Sequence, residues 1–296
     1  MSDDTITAFY TALQTAGSAP AKPSDLVADG RLHRHYIEGD KPGSRNGWHV
    51  IHRDPPASAA GGNWRTGARI TWCGNRHDHR SGADLYILRQ RIEADRMERV
   101  RAVESRQQDA AGRALWTWEH ARPANPQHPY LHKKHLLPGN ARQRGAALVL
   151  PVLDFGGFLH GVQYIQPDGT KRFLTGTSKA THFIPATDEL PDGTAPIWIA
   201  EGWATARALQ AMRPNVCVMA GLDAGNLQSV ALAARQRWPK LQIVVCPDFD
   251  QVGQKKGRAA AIAARAHILP PPAVVPENCT DWNDVLNVRR DVQHGA

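Results

Sequence analysis

Three consecutive stretches decide the fold: IWIAEGWATARALQAM (197–212), NVCVMAGLDAGNLQSVALAARQRW (215–238) and LQIVVCPDFDQVGQKKGRAAAIAARAHI (241–268). Each opens on a short apolar run, turns at small or acidic residues, and continues with Ala and Leu at helical spacing. IWIA, NVCVMAG and LQIVVC predict strands, while GWATARALQAM, NLQSVALAARQRW and GRAAAIAARAHI predict helices. PPAVVP (271–276) reads as a last short strand and DWNDVLNVRR (281–290) as a last helix capped by Asp281. Apolar strands that alternate with helices predict a mainly parallel sheet covered on both faces.

In an open α/β sheet the site lies beyond the carboxyl ends of the strands. Acidic residues stand at two of those ends: Glu201 directly follows IWIA, and Asp248 and Asp250 follow LQIVVC as Asp-Phe-Asp. In an extended segment, residues two apart point the same way, so both aspartates can face one crevice. Such a set of hard oxygen donors suits Mg²⁺ or Mn²⁺. The same acids also fit helix caps or plain loop residues.

Outward from this core the pattern changes. TDELPDGTAP (187–196) reads as a linker. Before it, ALVLPVLD, FLHGVQYIQ and KRFLTG predict an antiparallel sheet, with PDGT (167–170) as the turn of its second hairpin. RPANPQHPYLHKKHLLPGNARQRG (122–145) is rich in Pro, His and basic residues. From Ser81 to Ala121 there is no Pro, and Leu85, Leu88, Ile92, Val100, Val103, Ala114, Leu115 and Trp118 mark one face of a long helix or a helical pair. Its arginines (89, 91, 96, 99, 101 and 106) are interleaved with Glu93, Asp95, Glu98 and Glu104, the pattern of a solvated charged face. LHRHYIE, GWHVIHR and ARITW predict a small sheet over 31–72, divided by a turn at PPASAAGGN (55–63), and Ile6, Phe9, Tyr10 and Leu13 predict a helix over 3–16.

Composition sets the outer bounds. The 296 residues are 42% hydrophobic and 22% charged, which excludes a disordered or collagen-like chain and leaves room for two domains. No apolar run is long enough to span a membrane, and the N-terminus does not read as a secretory signal. Cys73, Cys217, Cys246 and Cys279 are too scattered for a disulfide framework, so the expected setting is reduced and cytoplasmic. Residues 1–150 hold 22 Lys and Arg against 15 Asp and Glu, whereas 151–296 hold 14 against 13. The excess positive charge of the first half suits a polyanion such as nucleic acid, or solubility alone.

IWIAEGWATARAL, VMAGLDAGNL and VVCPDFDQVGQKKGRAAA together resemble the Toprim domain of primases, topoisomerases and some nucleases. That resemblance implies a Rossmann-like, mainly parallel α/β domain following an α+β N-terminal region. Glu201 then corresponds to the family's general acid/base or metal-assisting glutamate, Asp248 and Asp250 to its Mg²⁺-holding pair, and Gly253 to the glycine at the next turn. DWND (281–284) recurs after the last strand in primase-type members, which implies that Asp281 or Asp284 either sits near the metals or caps a helix. The segment ALVLPVLDFGGFLHGVQYIQPDGTKRFLTGTSKATHFIPA resembles the subdomain that precedes Toprim in bacterial-type primases. HPYLHKKHL, GDKPGSRNGWHV and NWRTG resemble primases encoded by plasmids, phages and integrated elements. Lys171 and Arg172 match the family's basic strand, and Lys133, Lys134, Arg142 and Arg144 extend that surface toward template and nucleotide phosphates.

The expected division is therefore a β-rich domain over 1–80, a helical connector over 81–124, a basic primase-like subdomain over 125–190 and the Toprim domain over 195–290. The resemblance implies short-primer synthesis on single-stranded DNA from nucleoside triphosphates, with Mg²⁺ or Mn²⁺ and a replicative helicase as a candidate partner. A Toprim nuclease and a non-catalytic DNA-binding adaptor are the alternatives. The chain departs from many bacterial primases in lacking a zinc ribbon. Cys73, His77 and His79, with His33, His35, His49 or His52, have the wrong spacing for one. Trp48, Trp64 and Trp72 are candidates either for base stacking or for the core of the small sheet. GTSKAT (176–181) is not a P-loop, so no ATPase motor is expected here.

Overall fold

The computed structural model describes residues 2–74, 82–187 and 189–294. His77 and His79 lie outside them, and so does any metal site built on that pair. The chain forms two compact units, Met1–Arg99 and Val100–Ala296.

In the first unit a helix, α1 (Ser2–Thr15), precedes a four-stranded antiparallel meander of β1 (His33–His35), β2 (Gly47–His52), β3 (Ser58–Asn63) and β4 (Arg69–Cys73). Phe9 and Leu13 of α1 are fully buried with Leu26, Ile51 and Ala59. The expected turn over 55–63 is confined to its first residues, since 58–63 form β3, paired with β2 and β4 along its length. Its Gly and Ala are packing residues. A β-carbon on Gly61 would sit 2.9 Å from Leu13 Cδ2 and 3.0 Å from Phe9 Cζ, so glycine lets the helix lie directly on the strand. Trp48 is buried and Trp72 packs against this core, whereas Trp64 is exposed.

A single helix, α2 (Gly82–Glu119), occupies the stretch read as one helix or two. The side chains of Leu85 and Leu88 lie outside the described residues. Ile92, Val100, Val103 and Leu115 are exposed, and Ala114 and Trp118 alone of the expected apolar face pack inward. Charged residues surround the middle of the helix on every side, so solvation and local pairs sustain it there rather than a buried stripe.

The second unit holds two five-stranded sheets. The first is antiparallel, in the order β5 (Arg122–Pro123), β6 (Arg142–Arg144), β7 (Ala147–Leu153), β8 (Leu159–Ile165) and β9 (Lys171–Phe173). A short helix, α3 (Pro129–Lys134), lies between β5 and β6. Register sorts its side chains onto two faces: Val149, Tyr164, Arg142 and Arg172 share one, Leu148, Ile165 and Lys171 the other.

The second sheet runs β10 (Ile184–Pro185), β12 (Cys217–Ala220), β11 (Ile197–Ala200), β13 (Ile243–Cys246) and β14 (His267–Ile268). All its pairings are parallel except β10 with β12. The edge strand β14 precedes the prolines. PPAVVP forms no strand, because its prolines at 271, 272 and 276 have no N–H for a ladder. Helices α4 (Trp203–Met212), α5 (Leu227–Arg237), α6 (Gln251–Ala264) and α7 (Trp282–His294) follow in turn. The helix expected over 257–268 starts earlier, at Gln251, and stops at the left-handed Arg265.

Alternation along the strands separates two cores. Ile197, Ile199, Ile243 and Val245 pack against α5 and α6 through Leu227, Val230 and Ala260. Ala200, Val244 and Cys246 share the other face with Trp203, Trp282 and the apolar face of the first sheet, Leu148, Leu150 and Ile165. The antiparallel sheet thus packs on the parallel one, and its Lys171 face looks toward the ends of β11 and β13. Among the described residues no helix is long and apolar enough to cross a membrane.

Candidate functional site

β11 and β13 are parallel neighbours in register, with Ala200 opposite Cys246, so Glu201 and Asp248 leave the sheet side by side. The Asp248 N–H donates to Glu201 Oε1 at 3.1 Å, which fixes one oxygen of the glutamate against the next strand end. Asp250 caps α6, its Oδ1 accepting the Gly253 N–H at 2.6 Å. Glu201 and Asp250 thus each commit one oxygen to backbone and keep the other. Gly253 is required where it stands: a β-carbon there would overlap Glu201 Oε1.

Asp248 is different. Its Oδ1 is buried and has no hydrogen-bond partner. Burial, with Glu201 and Asp281 nearby, pushes its carboxyl up to about 7 against the pull of Lys171, and Asp250 adds to the rise. Glu201 is also held above the usual carboxylate range, chiefly by burial and further by Asp250 and Asp223. Among the described residues no lysine, arginine or histidine forms an ion pair with Glu201, Asp248 or Asp250. A buried carboxylate oxygen without a donor costs free energy unless a cation or proton arrives. The donor set, three carboxylates at strand ends, fits a hard divalent cation.

Lys171 faces these acids. Its ammonium lies 3.8 Å from where a β-carbon on Gly202 would stand. The residue is exposed overall, yet desolvation and Lys134 lower its ammonium below the usual lysine range, opposed by Asp248 and Asp281. Arg172, one residue on, points to the opposite face. Lys134 Nζ pairs with Asp284 Oδ1 at 2.9 Å, and its carbonyl accepts from Asn283 Nδ2 at 3.0 Å, so it ties α3 to α7 beside the site. Arg142 lies over the Trp118 ring and donates to the Trp118 carbonyl, and Arg144 lies 4.6 Å over Trp116. The six basic residues therefore divide. Lys134 and Lys171 neighbour the acids, Arg142, Arg144 and Arg172 occupy the other face of the antiparallel sheet, and Lys133 is exposed on α3.

Two further acids join the site: Asp281, read from the sequence as a helix cap or a neighbour of the metals, and Asp223, which was not singled out. Asp281 acts on both Asp248 and Lys171, and it also caps α7 by accepting the N–H groups of Asn283 and Asp284 at 2.7 and 3.0 Å. Asp223, after β12, acts on Glu201. The sequence signal for Asp223 was its place just past a strand end, the same signal that marks Glu201.

The histidines of the first unit form a different arrangement. His49 Nε2 accepts the Val27 N–H at 3.0 Å, so its Nδ1 carries the proton and donates to His35 Nδ1 at 3.1 Å. His35 Nε2 then donates to the Ser18 carbonyl at 2.9 Å. Every ring nitrogen of the buried pair is used, and neither has a lone pair left for zinc.

The fold and the acid crevice together define a class. Residues 196–291 match the Toprim domain family, and the parallel-sheet part of the chain is a Toprim domain. Two curated relatives are more particular. The chain is 30% identical over 288 residues to a DNA primase TraC of Escherichia coli, which covers 91% of this chain and 20% of that protein. A second TraC from the same species is 29% identical over 298 residues, covering 91% and 28%. The chain thus resembles the plasmid and phage type of Toprim primase while spanning between 20% and 28% of these relatives' length. Among solved structures, the primase fragment of the bacteriophage T7 primase-helicase is 20% identical, with a TM-score of 0.44 over 55% of this chain and 72% of that one. The zinc-binding and RNA polymerase domains of the Aquifex aeolicus primase are 12% identical, with a TM-score of 0.43 over 91% and 79%.

Proposed function

We propose that this chain is a primase catalytic region that joins nucleotides into short RNA primers on single-stranded DNA. The observation that carries the reading is the open carboxylate of Asp248, buried between Glu201 and Asp281 and faced by Lys171. Glu201, Asp248 and Asp250 would hold Mg²⁺ or Mn²⁺, which when bound would neutralise phosphate oxygens as a 3′-hydroxyl attacks the α-phosphate of a nucleoside triphosphate and pyrophosphate leaves. Glu201, its carboxyl held above the usual range by burial, is placed to hold or release a proton at its second oxygen. Lys171, with Lys134 behind it, supplies positive charge where a nucleotide's phosphates approach the acids. Lys133, Arg144 and Arg172 are exposed and suit the template's phosphates, which position a strand without reading it. A replicative helicase is the partner such an enzyme would serve.

Labelled-nucleotide incorporation on single-stranded DNA with Mg²⁺ or Mn²⁺ tests the reading, beside an Asp248→Asn control. Short products from the unsubstituted protein alone support it. Metal-dependent loss of template would make the chain a nuclease. Salt-sensitive DNA binding with neither activity would make it an adaptor.

A further inference from the structure

A second cluster of ligating side chains lies in the same unit, away from the carboxylates of Glu201, Asp248 and Asp250. Asp154, His160 and His182 each bring one ligand atom to within 4.8 Å of the other two; Asp154 and His160 are partly buried and His182 is buried. Two separate backbone devices bring them together. Leu153 and Phe183 form an isolated antiparallel bridge, with N–H to carbonyl bonds of 2.8 and 2.9 Å in the two directions. That bridge sets Asp154 opposite His182. On the other side, Val152 pairs with Gly161 but Leu153 with Leu159, so His160 is the extra residue of a β-bulge. A bulge re-aims a side chain, and here it turns His160 onto Asp154, with Nε2 at 2.9 Å from Oδ2.

The surroundings fix Asp154 and His182 for ligation, while His160 Nε2–H donates to Asp154 Oδ2 and gives up that proton when an ion binds. Asp154 Oδ1 accepts the Gly156 and Phe158 N–H groups, which fixes the carboxylate and leaves Oδ2 for the cluster. The Ser178 carbonyl accepts from His182 Nδ1 at 3.1 Å, so Nε2 carries the lone pair. This is the outer-shell carbonyl that metal-bound histidines commonly have. The loop bearing Ser178 is itself pinned, because Asn226 Nδ2 donates to the carbonyls of Lys179 and His182 at 2.8 and 3.1 Å. The two imidazoles stack with centroids 4.0 Å apart. Burial and His160 lower the affinity of His182 for a proton. The contrast with His35 and His49 is direct. There the hydrogen bonds use up every nitrogen, and here His182 keeps the lone pair of Nε2 and the one proton in the way is shared with the Asp154 carboxylate.

We infer that Asp154, His160 and His182 form a binding site for one zinc-type divalent ion. Two imidazoles and a carboxylate are borderline ligands suited to Zn²⁺ or Co²⁺ rather than Mg²⁺, with water completing a tetrahedron. Ligand atoms around a tetrahedral zinc stand about 3.3 Å apart, given bonds of about 2.0–2.1 Å. The His160–Asp154 contact therefore needs to open by only a few tenths of an ångström. The ion would clip the end of β7 to the bulge of β8 and to the segment entering β10, where the antiparallel sheet hands over to the Toprim sheet.

The test is Co²⁺ titration of the whole, metal-stripped protein, followed by visible absorption, with Zn²⁺ as competitor. An intense tetrahedral Co²⁺ band that saturates at one equivalent, is displaced by Zn²⁺, is retained by Asp248→Asn and Cys73→Ala, and is weakened at least about a hundredfold in affinity in both His160→Gln and His182→Gln is expected. Absence of Co²⁺ binding, or binding unchanged in the two histidine variants, overturns the inference. Crystals soaked in Zn²⁺ give a readout independent of variant folding. An anomalous peak between the three side chains supports the site, and zinc found only elsewhere refutes it.

Discussion

The histidine pair of the first unit and the acid crevice of the second are both buried titratable clusters, and they solve the problem of burial in opposite ways. His35 and His49 pass hydrogen bonds in a closed chain from the Val27 N–H to the Ser18 carbonyl. Glu201 and Asp248 are held by backbone and leave a carboxylate oxygen with nothing to bind. Closed networks specify a fold, while an open one stores unfavourable energy that a ligand can release. On the proposed function, the difference separates buried polarity that builds the protein from buried polarity that is kept for chemistry.

The largest effect should come from closing the open cluster artificially. Asp248→Asn removes a charge that the folded protein disfavours. The raised pKa means that the carboxylate destabilises the fold as pH rises from about 4 through about 7. At pH 8 and without metal the variant should therefore be more stable, by about 2 kcal/mol in urea melts, while nucleotide incorporation falls at least ~100-fold. A variant that loses stability along with activity would make Asp248 an ordinary structural residue.

Gly253→Ala attacks the same site from its backbone side. The added methyl displaces Glu201, and overpacking of this kind costs about 1–3 kcal/mol. Activity should fall more steeply than stability, and thermal melts beside incorporation rates would show whether it does.

Lys171 and Arg172 sharpen the contrast between the two faces of one strand. Lys171→Met removes the cation that opposes protonation of Asp248, so the acid limb of the pH–activity profile should move to higher pH and the rate at pH 7 should fall about tenfold. Arg172→Ala should leave that profile in place and lower the salt dependence of DNA binding by about one phosphate contact. Equal pH shifts in the two variants would contradict the assignment of faces.

The smallest effect on activity belongs to the closed pair. Burial, with His35 and His33 nearby, lowers His49 to about 4, so the unfolded chain binds more protons than the folded one between pH 4 and 6.5. The stabilisation is complete above about pH 6.5 and is lost as pH falls toward 4, by about 3 kcal/mol for this group. Amide hydrogen exchange should show β1 to β3 opening over that range, and His49→Phe should flatten the dependence.

The sequence alone showed the alternation of the Toprim half and the position of Glu201, Asp248 and Asp250 past its strands, because apolar runs and strand-end acids are local signals. Strand β3 was hidden because Ser58–Asn63 carries no β-branched residue, and its Gly and Ala look like a turn until α1 is placed on them. The exposed middle of α2 was hidden because its valines keep helical spacing without a partner to cover them. Asp154, His160 and His182 are 6 and 22 residues apart. Only a bulge and a single bridge, neither visible in periodicity, bring them together. The separation of Lys171 from Arg172 needed nothing more than the period of a strand.

Mn²⁺ binding at pH 8, followed by water proton relaxation, tests the central claim most directly. It is best made in a His160→Gln background that removes the second candidate site, with and without Asp248→Asn. Tight binding that Asp248→Asn abolishes is the predicted result. Mn²⁺ binding of equal strength with and without the Asp248 carboxylate would contradict the account.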